Sequence, residues 1–131
     1  MRRQGSKRIL LVDDEPDLVE ALVLRFLAEN GCEVETAQDG EEALCKAFNF
    51  RPDAVVLDVA MPEMDGWEVC RRLRADSRTR DVPIVIASAW LNGNMKERAE
   101  KAGASCFFLK PFVEKELVEA VFSLIGTPVG D

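Results

Sequence analysis

The 131-residue sequence predicts an α/β domain: five parallel strands in one sheet, doubly wound by five helices. Three observations carry this. Five short apolar runs alternate with stretches whose apolar residues recur at helical spacing. The first, third and fourth runs are nearly all apolar, as parallel strands covered on both faces are. The length fits one ordinary domain.

The elements follow in order. Residues 9–12 form the first run. Leu18, Leu22 and Phe26 then repeat at helical spacing until Asn30-Gly31, a helix stop. Residues 34–37 make the second strand; Asp39-Gly40 precedes the second helix and Pro52 lies beyond its end. Residues 54–57 are the third strand, and the segment from Met61 to Gly66 turns into the next helix. Residues 84–87 are the fourth strand, followed by a helix over roughly 94–102 that Gly103 closes. Residues 106–109 are the fifth strand, and Leu117, Val121 and Leu124 mark a last helix over roughly 114–125. The predicted strand order is 2-1-3-4-5, the order known for one common class of such sheets. Residues 1–7 read as a basic tail, 8–125 as the domain, and 126–131 as a tail or the start of a linker.

Composition narrows the function. With 47% hydrophobic and 31% charged residues, the chain has enough apolar content to fold. Its net charge of -7 argues against direct binding to nucleic acid or anionic lipid. The cluster Arg71, Arg72, Arg74, Arg78 and Arg80 reads as solvated surface. Cys32, Cys45, Cys70 and Cys106 are widely spaced, and with no His in the chain they do not complete a zinc set. Buried free thiols in a reducing compartment are the expectation. No apolar run approaches a membrane span, so the expected location is the cytoplasm.

In a sheet of this kind the ligand site lies beyond the carboxyl ends of the strands. Asp13-Asp14-Glu15 follows the first strand, Asp58 the third, Ser88 the fourth and Lys110-Pro111 the fifth. Gathered carboxylates repel one another unless a cation sits among them. Oxygen donors without His or Cys select a hard ion, Mg²⁺ above all, with Mn²⁺ as a substitute. Asp58 is then a candidate nucleophile for a phosphoryl group, with Lys110 and Ser88 complementing the charge.

The segments Ile9-Leu-Leu-Val-Asp13-Asp14-Glu15, Leu57-Asp58-Val-Ala-Met61-Pro62-Glu-Met-Asp65-Gly66, Ser88-Ala89 and Phe107-Phe-Leu-Lys110-Pro111-Phe112 resemble, in order, the signatures of two-component response-regulator receiver domains. The likeness spans roughly residues 8–125 and resembles the single receiver domains of chemotaxis regulators, with their flavodoxin-like fold. It implies that Asp58 is the phosphoacceptor, Asp14 a direct metal ligand, Asp13 a ligand mainly through water, and the Ala60 carbonyl a further ligand. It implies that Lys110 and Ser88 meet phosphoryl oxygens, that Phe107 turns inward on activation, and that the bond before Pro111 is cis. It implies a histidine kinase or histidine phosphotransfer protein as donor, and a switching face made of helix four, strand five and helix five that controls a downstream partner. The chain is then not an enzyme acting on a separate substrate, since it catalyses only its own phosphorylation and dephosphorylation.

Four positions depart from the commonest pattern. Ser88 stands where Thr is frequent, Phe107 where Tyr is frequent, and Ala60 with Trp90 makes the rim of the site apolar. Rival readings weaken on particular residues. A phosphatase that works through an aspartyl phosphate needs a second Asp two residues after the nucleophile, where this chain has Ala60. A flavin carrier of similar sheet order needs a phosphate loop after strand one, where the acidic run from Asp13 to Asp17 repels phosphate. A pseudo-receiver acting by protein contact alone does not explain the full set of Asp13, Asp14, Asp58, Ser88 and Lys110.

Overall fold

The computed structural model describes residues 6–29, 32–61 and 65–126. Strands β1 (Lys7–Val12), β2 (Cys32–Ala37), β3 (Ala54–Leu57), β4 (Ile84–Ser88) and β5 (Cys106–Leu109) alternate with helices α1 (Pro16–Leu27), α2 (Gly40–Phe50), α3 (Gly66–Ala75), α4 (Met95–Ala102) and α5 (Glu114–Ile125). All strand pairs are parallel, and the order is β2-β1-β3-β4-β5.

Successive side chains of a strand point to opposite faces, so each central strand feeds two cores. Leu10, Val12, Val55, Leu57, Ile84 and Ile86 pack under α2, α3 and α4 through Leu44, Trp67, Leu73 and Met95. Ile9, Leu11, Ala54, Val56, Val85 and Ala87 pack under α1 and α5 through Leu22, Phe26, Leu117 and Phe122. The near-continuous apolar character of β1, β3 and β4 has this double coverage as its cause.

Helix boundaries follow local chemistry. Asp39 caps α2 by accepting from the Glu42 N–H at 2.8 Å, and Asn94 caps α4 by accepting from the Glu97 N–H at 3.1 Å. Pro16 opens α1 at a position whose N–H has no partner within the helix anyway. Gly103 ends α4 at φ 95°, as its sequence position suggests. Arg51 ends α2 in the left-handed region at φ 56°, just before Pro52. The expected stop at Asn30-Gly31 lies outside the described residues; α1 has already ended at Leu27, with Ala28 as its C-cap. The residues assigned to tails, apart from Ser6, Lys7 and Gly126, lie outside them as well.

Two surface expectations change. Only Cys70 of the four free thiols is buried; Cys32 and Cys106 are half-buried and Cys45 is exposed, because its place on α2 faces away from the sheet. Arg74 is not simply solvated: its guanidinium donates to the carbonyls of Gly103 at 2.8 Å, Arg80 at 3.0 Å and Val82 at 2.5 Å. It ties the end of α3 to the loops before β4 and β5. Arg71 and Arg72 pair with Glu68, and Arg78 pairs with Asp76 while stacking on Phe48.

Candidate functional site

Parallel register brings the strand ends together. Val12 lies opposite Leu57, so Asp13 and Asp58 leave the sheet side by side. The Asp58 N–H donates to the Val12 carbonyl at 2.9 Å, and the Asp13 N–H to the Ala37 carbonyl at 3.0 Å, which anchors both as the strands end. Ser88 lies opposite Leu109, and the Lys110 N–H donates to the Ser88 carbonyl at 2.8 Å. The backbone therefore delivers two carboxylates, a hydroxyl and an ammonium to one edge. Asp14, one residue on, adds a third carboxylate. Oxygens of Asp13, Asp14 and Asp58 lie within 4.8 Å of one another, with Asp14 exposed and the other two buried.

The two buried carboxylates have defined partners. Asp58 Oδ1 accepts from the Ala60 N–H at 2.8 Å, and Asp13 Oδ1 from the Glu15 N–H at 2.9 Å. Lys110 Nζ lies 2.9 Å from Asp58 Oδ2 and 2.9 Å from Asp13 Oδ2, and it also bonds Glu15. The peptide bond between Lys110 and Pro111 is cis.

Burial raises the Asp13 carboxyl above the usual carboxylate range, and the neighbouring Asp58 charge adds to this; bonds from Lys110 and the Glu15 N–H pull the other way without cancelling it. For Lys110 burial favours the neutral amine, but hydrogen bonds to Glu15, Asp13 and Asp58 outweigh it and hold the ammonium above the ordinary lysine value. One ammonium does not balance Asp13, Asp14, Glu15 and Asp58. An oxygen-only, strongly negative donor set fits a hard divalent cation.

The other expected residues occupy distinct places. Ser88 is fully buried, and its hydroxyl donates to the Ala89 carbonyl at 3.2 Å. Ala60 is half-buried, with its N–H committed to Asp58. Trp90 is 59% exposed in the loop after β4. Phe107 is partly buried against the core beneath α4, beside a cavity of about 310 Å³ lined also by Lys96, Ala99 and Glu100. Sequence reasoning missed the partnership of Glu15 with Lys110. Its only signal was the third acid in the run before Pro16.

The described residues include no helix long and apolar enough to cross a membrane.

Residues 9–122 match the family model for the response regulator receiver domain. Response regulator MprA of Mycobacterium sp. (strain KMS) is 47% identical over 118 residues, which is 90% of this chain and 50% of the relative. Transcriptional regulatory protein PrrA of Mycobacterium tuberculosis is 44% identical over 120 residues, 92% of this chain and 50% of the relative. The chain thus spans about half the length of the curated relatives it matches. Among solved structures, a putative response regulator from Chloroflexus aurantiacus superposes with a TM-score of 0.80 at 36% identity, covering 92% of this chain and 98% of that one. The receiver domain of sensor histidine kinase PA1611 from Pseudomonas aeruginosa, solved with magnesium in its active-site cleft, gives a TM-score of 0.79 at 31% identity, covering 93% and 99%. Strand order, the acidic cluster beside a lysine and these matches lead to one conclusion: the chain belongs to the response regulator receiver domain family.

Proposed function

We propose that Asp58 accepts a phosphoryl group from the phosphohistidine of a histidine kinase or histidine phosphotransfer protein, in a reaction that requires Mg²⁺. The observation that carries this is the convergence of Asp13, Asp14 and Asp58, with Lys110 bonded to the Asp58 carboxylate. Asp13, Asp14, Asp58 and the Ala60 carbonyl are the ligands, and Mn²⁺ substitutes for Mg²⁺. The ion supplies charge neutralisation to the oxygens of the transferring phosphoryl group.

The chain's own residues do the rest. The Ala60 N–H and the Lys110 ammonium each hold one oxygen of Asp58, so the carboxylate is oriented before the donor arrives. An Asp58 oxygen forms the new bond to phosphorus while the phosphorus–nitrogen bond breaks, and the imidazole nitrogen keeps that electron pair. Lys110 then pairs with one phosphoryl oxygen. Ser88 turns its hydroxyl from the Ala89 carbonyl to another, and Phe107 moves inward, which alters the face formed by α4, β5 and α5 for a downstream partner. A groove of about 460 Å³ lined by Glu15, Leu18, Lys110 and Phe112 gives the donor access beside Lys110.

Acetyl phosphate with Mg²⁺ is expected to add one phosphoryl mass, mapped to Asp58. Asp58→Asn and EDTA each abolish it, and Mn²⁺ restores it after chelation. Labelling that persists in Asp58→Asn, or that maps to Ser88, overturns the assignment.

A further inference from the structure

A cationic recess lies between α3 and α4, and none of its lining residues belongs to the acidic cluster. It has a volume of about 180 Å³ and is lined by Trp67, Arg71, Arg98, Lys101 and Ala102. Trp67 and Arg71 stand one turn apart on α3, and Arg98 and Lys101 one turn apart on α4, so two helices present the set from opposite sides.

Two independent features mark this recess as more than a solvated basic patch. The first is charge. Arg71 shares the Glu68 carboxylate with Arg72, at 2.9 Å and 3.1 Å, and also lies 3.9 Å from the Asp65 carboxylate, so its own charge is already met. Arg98 and Lys101 have no ion-pair partner among the described residues, although the chain carries a net charge of -7 and has acids to spare. The second is Trp67. It is only 3% exposed, and its indole N–H is buried without a hydrogen-bond partner. Buried donors are normally satisfied, and an indole N–H can only donate, so this group favours an acceptor beside it. The Arg98 guanidinium lies over the indole ring, 4.9 Å from its centroid, which holds that cation at the recess.

We propose that this recess binds a phosphate-type dianion, as free phosphate or as the phosphoryl end of a small phosphomonoester. Two unpaired cations match a dianion in charge, and guanidinium pairs with phosphate oxygens in a forked geometry. The size agrees: the volume lies below the roughly 300–1,000 Å³ typical of sites for drug-sized ligands, which suits a single phosphate group. The site is independent of Asp58 chemistry. Because α3 and α4 follow the loops after Asp58 and Ser88, an anion bound there bridges two elements that leave the phosphorylation site.

The test is a ¹H–¹⁵N spectrum of the full chain in the absence of divalent cations. It is titrated in separate arms with inorganic phosphate, glycerol phosphate and a glutamate-rich peptide. Trp67 and Trp90 give two indole N–H signals, assigned through Trp90→Phe. We expect the Trp67 signal to move saturably with phosphate or with the ester while the exposed Trp90 signal stays. The midpoint should rise at least tenfold in Arg98→Gln/Lys101→Gln and remain unchanged in Asp58→Asn. Both substituted residues are exposed, and an unchanged fold is verified from the remainder of the spectrum. Tighter binding of the ester than of phosphate identifies the ester as the ligand class, and equal binding identifies the phosphate group alone. No movement, movement without saturation, an unaltered midpoint in the double variant, or a response to the peptide alone overturns the proposal.

Discussion

Among the described residues Lys110 is the one ammonium bonded to Asp13, Glu15 and Asp58, and its side chain is 12% exposed. Lys110→Ala leaves buried carboxylates without their counter-charge and should destabilise the protein by roughly 3 kcal/mol, the low end for such a loss. Urea unfolding in EDTA measures this. Because lysine does not ligate the cation, the variant should still be stabilised by Mg²⁺, by about 2.7 kcal/mol at a hundred times its dissociation constant, whereas Asp14→Ala should not. The rim of the site concerns the lifetime of the phosphorylated state. Hydrolysis needs a water held in line, and polar side chains beside the phosphoryl group orient such a water. Ala60 offers none, and Trp90 presents a broad apolar ring with a donor only. Purified phosphoprotein in Mg²⁺ should therefore decay more slowly than Ala60→Asn, Trp90→Glu and the double variant, with decay followed by intact mass. Unchanged or slower decay in all three variants rejects this role for the rim.

At the scale of elements, α3 depends on two close fits. A side chain at Gly66 would put its Cβ 2.3 Å from the Val59 Cα, so the first turn of α3 approaches the loop after Asp58 as only glycine permits. At the other end the Arg74 guanidinium closes the helix onto the backbone carbonyls of Gly103, Arg80 and Val82. Arg74→Ala should cost roughly 1–3 kcal/mol, the penalty for leaving partly buried acceptors unsatisfied. It should appear as a lower urea midpoint with an unchanged slope, because the folded surface stays the same. An unaffected midpoint would show that water replaces the guanidinium at no net cost. Read as sequence, Arg74 was one of five arginines with nothing to separate it from Arg71 or Arg78. The distinction is one of position along the chain: Arg74 sits in the last turn of α3, within reach of the loops that precede β4 and β5, whereas Arg71 pairs with Glu68 a turn earlier and Arg78 lies beyond the helix, paired with Asp76.

For the whole molecule, the network around Lys110 sets a pH dependence. The folded ammonium holds its proton more tightly than in the unfolded chain, whose lysine value is the ordinary 10.5. Its contribution to stability is fully present below that pH and is lost as pH rises through the higher folded value. The stability difference between the wild type and Lys110→Met should accordingly shrink above pH 10.5, with urea midpoints on either side as the measurement. A constant difference would remove the ammonium from the account. The elements, the double coverage of the central strands and the residues at the strand ends were legible in the sequence, because apolar runs and helical spacing are local properties and parallel strands end on one edge, whereas the sheet order came from the known pattern of such sheets. Asp13, Asp14, Asp58 and Lys110 could be named as a group for that reason. Contacts among side chains from separate elements could not be read this way. The bond from Glu15 to Lys110, the clamp made by Arg74, the exposure of Cys45 and the recess between Trp67 and Arg98 depend on helix rotation and on the packing of neighbours distant in the chain. The sequence alone determined which residues gather at the strand ends, since backbone pairing delivers them; only the tertiary structure decided which atoms bond there, since that is set by distances between elements that local pattern does not encode.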